Sequence, residues 1–442
     1  MITVGLISLG CAKNQVDSEV MLGLLRRRGF EITHRAERAD VVIVNTCGFL
    51  EASKEEGYAT IREMAALKKR GKLRRLVVAG CLVQRSAEKM RADLPEVDSF
   101  LALNDVERIV EACEPDGAAF EPDLRPATYL PAADAPRLLT SPGPSAYLKI
   151  AEGCDNPCAF CVIPQIRGAF RSRSHESLVT EAGSLAAAGV RELNLIAQDS
   201  TSYGEDLGDS GGLPALLRAL GEVEGIRWVR LLYAYPNKMT EELMETLGGG
   251  GGVLPYLDVP LQHASKAALA RMRRGGSRES FTRMIGDLRK HVPDLSLRTT
   301  FIAGFPGETE AEFEELRSFV EEIEFDHIGV FTYSHEPGAP SFALHDDVSP
   351  SLKNDRRQIL MDLQESITAR RYRSRIGSKL EVLIEGRGEE PGTLAGRAAF
   401  QAPEVDGDVV IRGDAGSDGF LEVVIEDAAA YQLVANALPV GC

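Results

Sequence analysis

Short apolar runs alternate with stretches of helical period along the first 110 positions. The runs are Ile2–Ser8, Val41–Thr46, Leu76–Ala79 and a weaker Val97–Ala102, with helical patterns such as Asp17–Arg28 and Glu55–Arg70 between them. Strands separated by helices predict a parallel sheet with helices packed on it, the doubly wound α/β arrangement. The texture then changes. Seven prolines (115, 122, 126, 131, 136, 142 and 144) crowd residues 115–145, which predicts an extended linker or a strap over the surface. Alternation resumes at Ala146, with strands expected at Ala146–Ala151, Leu193–Ala197, Trp228–Tyr233, Tyr256–Val259, Ser296–Ala303 and His327–Tyr333, and helices such as His175–Ala188 and Glu310–Glu322. Six such units predict a (β/α)6 barrel, two short of a full one. Gly248–Gly252 lacks the Lys-Ser/Thr ending of a phosphate loop and reads as a turn.

Residues 349–375 form a helical pattern rich in arginine (356, 357, 370, 371, 373 and 375), read as a solvated connector. Beyond it, Leu380–Ile384, Val409–Ile411 and Leu421–Ile425 are short β-like runs among glycines, which predicts a small β-barrel of about five strands. The expected organisation is an N-terminal α/β domain (1–114), the linker (115–145), the barrel (146–345), a connecting helix (346–376) and the small β-barrel (377–442).

Composition narrows the class. With 44% hydrophobic and 26% charged residues over 442 positions, the chain is globular and long enough for two or three domains. No apolar run approaches the roughly 18 residues that span a bilayer. The first ten residues have no basic region before their apolar stretch, so a signal peptide is not expected and a cytoplasmic location is. The net charge of −16 repels phosphate backbones and favours a basic protein partner over nucleic acid, although a local basic patch stays possible. Eight cysteines in such a chain point to metal ligands or reactive thiols rather than disulfides.

Two groups of cysteines carry the chemistry. Cys11, Cys47 and Cys81 each fall just past the carboxyl end of an expected strand, the edge where parallel sheets place their ligands. One buried cysteine is ordinarily a small hydrophobe; three at one sheet edge could meet in space. The second group is Cys154-Asp-Asn-Pro-Cys158-Ala-Phe-Cys161, after the first barrel strand. A structural zinc site wants a fourth ligand and usually paired Cys-x-x-Cys knuckles. Three thiolates on a four-iron cluster leave one iron open.

At this point the sequence resembles a known group. Cys154, Cys158 and Cys161, with Phe160 before the last, resemble the radical S-adenosylmethionine (SAM) signature. The wider segment from Ala146 to Gly168 is similar to the methylthiotransferase family. The likeness covers nearly the whole chain, the last 66 residues resembling a TRAM domain. It implies two 4Fe–4S clusters, one on Cys154, Cys158 and Cys161 and an auxiliary one on Cys11, Cys47 and Cys81; Cys113 and Cys442 are left as non-ligands. It further implies two SAM per turnover, one as methyl donor and one as source of a 5′-deoxyadenosyl radical. That radical must be kept from water, and a barrel capped by a neighbouring domain would enclose it. Further SAM contacts are expected from Phe160, from Gln198, Asp199 and Gln262 at strand ends, and from Arg171 and Arg173 on the carboxylate. The glycines Gly304 and Gly307 of Gly-Phe-Pro-Gly-Glu would let the backbone approach the ligand. His335 is a candidate substrate contact.

Two substrates compete within that family, a tRNA adenosine and an aspartate β-carbon of small-subunit ribosomal protein S-twelve. Ser8–Asn14, Asn45–Phe49 and Tyr333–Gly338 resemble the ribosomal-protein type. Charge agrees: residues 377–442 carry four basic and twelve acidic side chains, a net of −8. A tRNA-holding domain should be basic, whereas an acidic one attracts a basic ribosomal protein. Ribosomal protein S-twelve and an electron donor are therefore the expected partners, with no membrane and no DNA. A non-enzymatic iron–sulfur carrier would explain the cysteines but not the barrel; SAM cleavage under reducing conditions separates the two.

Overall fold

The computed structural model describes residues 1–114, 117, 120–141, 143–208, 211–413 and 419–438. Cys442 lies outside them. The N-terminal unit is a five-stranded parallel sheet of β1 (Thr3–Ser8), β2 (Glu31–Thr33), β3 (Val41–Thr46), β4 (Arg75–Gly80) and β5 (Ser99–Leu101), in the order β2-β1-β3-β4-β5. Successive side chains of a strand point to opposite faces. Val42, Val44, Leu76 and Val78 accordingly pack with Ile61 and Met64 of α2 (Glu51–Lys69) and Met90 of α3 (Cys81–Asp93). Val41, Ile43 and Val77 pack on the other side, with Val20 and Met21 of α1 (Ala12–Arg27) and Ile109 of α4 (Ile109–Cys113). The sheet is doubly wound, as expected. β2 was not foreseen: it is a half-exposed edge of three residues with no apolar run to mark it. Cys113 is fully buried in the second of these cores.

The proline-rich stretch is a strap. Over 121–141 it has neither helix nor strand, and it runs tightly against α1, where a Cβ on Gly23 would lie 2.1 Å from the Pro136 carbonyl oxygen. Arg137 is buried between Glu19 of α1 and Glu181 in the helix that follows the first barrel strands.

The second unit is a six-stranded, all-parallel sheet: β6 (Ser145–Lys149), then, after two short antiparallel strands β7 (Ala151–Glu152) and β8 (Arg171–Ser172), β9 (Glu192–Ile196), β10 (Trp228–Leu231), β11 (Val253–Asp258), β12 (Ser296–Ala303) and β13 (His327–Thr332). The helices are α5 (Ile163–Arg167), α6 (His175–Ala187), α7 (Gly212–Gly221), α8 (Glu241–Gly248), α9 (Lys266–Arg271), α10 (Arg278–His291) and α11 (Glu310–Ile323). Leu193, Leu195, Val229, Leu231, Leu257 and Leu297 face these helices in the largest core. Alternate positions turn inward and are polar or aromatic: Glu192, Asn194, Trp228, Arg230 and Tyr256 are buried there and Arg298 is half-buried.

Six strands leave that inner face unclosed, and the C-terminal unit fills it. Its closed barrel comprises β14 (Lys379–Arg387), β15 (Thr393–Ala398), β16 (Asp408–Arg412), β17 (Phe420–Ala429) and β18 (Gln432–Ala437). The segment between β15 and β16 enters the inner face of the large sheet. Arg230 donates to the Ala399 carbonyl at 2.8 Å, Ser296 to the Phe400 carbonyl at 3.1 Å, and Arg298 pairs with Asp406 at 3.2 Å. The helix before this barrel, α12 (Pro350–Arg373), corrects the expectation of a solvated connector. Arg356 is buried against Glu308, and Leu360, Gln364, Ile367 and Tyr372 are buried too. Among the described residues no helix is long and apolar enough to cross a membrane.

Candidate active site between two sheet edges

Strand-to-helix crossovers place the first three thiols. Cys11 is the N-cap of α1 and Cys81 the first residue of α3, and helix amino ends favour thiolates. Cys47 follows β3 directly. Gly10 has φ of +95°, and a Cβ there would lie 2.7 Å from the Cys47 Cβ, so only glycine lets the Cys11 loop rest on Cys47. Asn14 stitches the loops by donating to the Leu9 carbonyl at 2.9 Å and the Thr46 carbonyl at 3.0 Å. Burial pushes the Cys81 thiol up to about 12; the neighbouring Cys11 and Cys47 add to this and Arg167 opposes it.

The second three thiols lie in the loop between β7 and α5 and line one cavity of about 130 Å³ with Asn156, Phe160, Gln198, Asp199, Tyr233, Gln262 and Arg274. Asn156 donates to Cys154 Sγ at 3.4 Å and to Asp199 at 2.8 Å, and the Arg274 guanidinium lies 3.5 Å from Cys158 Sγ. Burial pushes Cys161 up to about 12, reinforced by Cys158 and Cys154. Tyr233 and Gln262 hold positive φ of 61° and 72°, backbone strain of the kind that concentrates at functional sites.

Among the described residues no three His, Cys, Asp or Glu side chains are close enough to hold a single metal ion. A multi-iron cluster takes each thiolate on a different iron and accepts wider spacing. The donor set fits: three thiols per site, and in the lining of the barrel cavity a buried Gln198 Oε1 with no partner among the described residues.

A buried ionic group lies between the two sites. Lys149 pairs with Asp17 of α1 and, at 2.8 Å, with Glu152; Arg167 pairs with Glu152 at 2.8 Å and donates to Asn14 at 2.9 Å. Burial pushes the Glu152 carboxyl up, but Arg167 and Lys149 outweigh it and hold the group well below the usual range. Lys13, buried over the Tyr233 ring, is lowered to about 8, mainly by desolvation and with Cys11 opposing.

The structure brings ten of the expected residues to these two places: Cys11, Cys47 and Cys81 at the N-terminal sheet edge, and Cys154, Cys158, Cys161, Phe160, Gln198, Asp199 and Gln262 around the barrel cavity. It places the others elsewhere. Arg173 is buried in an ion pair with Glu181, and Arg171 donates to the Arg167 and Ala169 carbonyls. Gly304 has its tight approach to Lys353, where a Cβ would lie 2.2 Å from Cγ, and Gly307 lies beside Arg271; neither lines the cavity. His335 stacks on Phe342 with ring centres 4.5 Å apart. Its neighbour Glu336 is the more connected residue: it accepts from the Glu51 amide that opens α2 at 2.6 Å and pairs with Lys54 at 2.9 Å and Arg85 at 3.2 Å. Glu336→Gln is expected to speed amide exchange at Glu51 and the adjoining Cys47 loop roughly tenfold, the loss of about 1–2 kcal/mol of charge-assisted bonding; unchanged protection would refute this. Arg274, Asn156, Tyr233 and Glu336 were not foreseen. Arg274 lies in a run of basic residues on which spacing alone confers no distinction.

Comparison with known proteins agrees with this layout. Residues 3–102 match the uncharacterized protein family UPF0004, residues 148–320 the radical SAM superfamily and residues 376–438 the TRAM domain. Among solved structures, the radical SAM methyltransferase TsrM from Kitasatospora setae with cobalamin and a [4Fe–4S] cluster shares the fold, with a TM-score of 0.54 over 89% of this chain and 80% of that one at 14% identity. Fold and cysteine loop thus define a radical SAM protein with two further domains. The ribosomal protein uS12 methylthiotransferase RimO of Solibacter usitatus is 48% identical over 94% of this chain and 89% of its own length, and that of Koribacter versatilis 43% over 98% and 96%. The chain belongs to the family of ribosomal protein uS12 methylthiotransferases.

Proposed function

We propose that this protein transfers a methylthio group to the β-carbon of an aspartate in ribosomal protein uS12, consuming two SAM per product. The observation that carries this reading is the convergence of two thiol trios, one from each sheet edge, on a buried ionic bridge. Cys154, Cys158 and Cys161 would hold the cluster that cleaves SAM, and Cys11, Cys47 and Cys81 an auxiliary one. When bound, the first cluster supplies the electron for reductive cleavage and the second a site for sulfur.

The chain's own residues then have definable tasks. Gln198 offers its free Oε1 to a ligand donor while its amide is fixed on Glu152 at 2.6 Å. Arg274, held on the Pro260 carbonyl at 2.6 Å and over the Tyr235 ring, sets positive charge at the cavity wall for a carboxylate. The neighbouring domains shut solvent away from the inner sheet face. The TRAM surface supports a basic protein partner: Glu389, Glu390, Glu404, Glu422, Glu426 and Asp427 are exposed, whereas Arg397 is buried within the molecule. An electron donor and a cytoplasmic setting, where ribosomes are found, complete the reading, with no role for DNA.

The test is one anaerobic reaction of reconstituted enzyme with SAM and reductant, offered uS12 and bulk tRNA together. A methylthio increment on a uS12 aspartate is the expected product; an increment on tRNA adenosine alone refutes the assignment. Gln198→Leu is expected to raise the KM for SAM roughly tenfold or more, from loss of a buried hydrogen bond of about 1–3 kcal/mol, read from the rate of 5′-deoxyadenosine formation.

A further inference from the structure

Arg167 belongs to the barrel, at the end of the short α5, yet its guanidinium reaches into the N-terminal domain. It is buried, with 2% of its surface exposed. Nη2 lies 3.2 Å from Cys81 Sγ and donates to Asn14 Oδ1 at 2.9 Å, while Nη1 donates to Glu152 Oε2 at 2.8 Å. Glu152 Oε1 in turn accepts from Gln198, which lines the cavity of Cys154, Cys158 and Cys161. A chain of four groups, the buried Cys81, Arg167 and Glu152 and the half-buried Gln198, therefore runs from one thiol site to the other.

We propose that Arg167 is a positioning residue that seats the Cys81 thiolate and, through Glu152 and Gln198, ties it to the pocket of the barrel. The proposal rests on the reading of Cys81 as an auxiliary-cluster ligand.

Charge pairing alone does not require an arginine here. Lys149 already touches both Asp17 and Glu152, so a second ammonium could complete the neutralisation of those two carboxylates. What an ammonium cannot do is serve a sulfur, an amide oxygen and a carboxylate that lie in different directions. The planar guanidinium, with five donors in a fixed fork, can. Donors to a cluster-ligating sulfur stabilise the more negative, reduced form and raise the reduction potential. Outer partners of this type typically contribute 10- to 100-fold to affinity or activity at a metal site. The same fork sets the distance between the two sites, since it is anchored on both sides.

The test uses Arg167→Lys, which keeps a cation beside Asp17 and Glu152, and Arg167→Gln, which removes it. In a Cys154→Ala/Cys158→Ala/Cys161→Ala background only the auxiliary site can load, and its potential is read by an EPR-monitored titration. Both variants are expected to titrate at a more negative potential than the parent. In the otherwise wild-type chain, methylthiolated uS12 per deoxyadenosine should fall about tenfold or more in both variants. An unchanged potential overturns the proposal, as does a parallel loss of deoxyadenosine and product, which would make Arg167 a structural strut of the barrel. Should Arg167→Gln fail to accumulate, Arg167→Lys decides by the same two readings. If the wild-type chain makes no methylthio product on uS12, the proposed function fails, and the potentials still judge Arg167.

Discussion

Cys154→Ala is expected to abolish 5′-deoxyadenosine formation and methylthio transfer together, whereas Cys81→Ala is expected to keep the first and lose the second. The two thiols are both buried and both follow a glycine, although Cys81 opens a helix and Cys154 lies in a loop. They differ in what surrounds them. Cys154 shares a cavity with Gln198, Asp199 and Gln262, the polar strand ends proposed above to hold SAM, while Cys81 faces Arg167 and Asn14. Loss of a direct ligand should exceed the roughly 10- to 100-fold cost of losing an outer partner. Mass spectrometry of both products in one anaerobic reaction decides the matter. Deoxyadenosine at more than a few per cent of the normal rate in Cys154→Ala, or its disappearance in Cys81→Ala, would contradict the division of labour.

The largest effect on stability is expected at Glu192. This carboxylate is fully buried, accepts from Arg230 at 2.8 Å and 3.0 Å, pairs with Arg397 of the small barrel and takes a hydrogen bond from Ser145 at 2.9 Å. Glu192→Ala leaves two buried guanidinium groups short of their counter-charge, a loss of about 3–5 kcal/mol. Trp228 is the only tryptophan and meets Phe420 of the small barrel edge to face at 4.8 Å, so its fluorescence reports on this interface during denaturant unfolding. A change below about 1 kcal/mol would show that Glu385, 2.8 Å from Arg397, compensates. The effect has a pH signature. Burial raises the Glu192 carboxyl, but Arg397 and Arg230 outweigh it and bring it to about 2, against an ordinary 4.5. Its contribution is therefore fully present above 4.5 and lost as the pH falls toward 2. Glu192→Gln should lack that acid-dependent component.

Much of the architecture was legible because each part announces itself by period. The apolar runs Val41–Val44 of β3 and Leu76–Ala79 of β4, and the alternations Leu193-x-Leu195 of β9 and Val229-x-Leu231 of β10, mark buried parallel strands. The thiol loop was legible because soft ligands at that spacing have few other uses. The failures share a physical cause. Arg167, Arg274, Glu336 and Lys13 act across domain boundaries or from the far side of a turn, and no periodicity within one element encodes a contact between elements. Arg171 and Arg173 attracted attention by their charge; the fold spends them on Glu181 and on local carbonyls. The arginines of α12 were read as solvated because the helix is polar on average, yet the Arg356 guanidinium lies over the Phe313 ring and pairs with Glu308.

The segment between β15 and β16 bears on how such enzymes can be recombined. Ala399, Phe400, Ala402 and Asp406 occupy the inner face of the six-stranded sheet and contact Arg230, Ser296, Tyr256 and Arg298. The small barrel is thus a missing wall of the large one. A chimera that exchanges it for a relative's, so as to redirect the enzyme to another macromolecule, inherits a foreign plug unless residues 399–406 stay with their own strands. One small barrel thus answers to two neighbours, its plug to the large sheet and its exposed strands to whatever the domain meets.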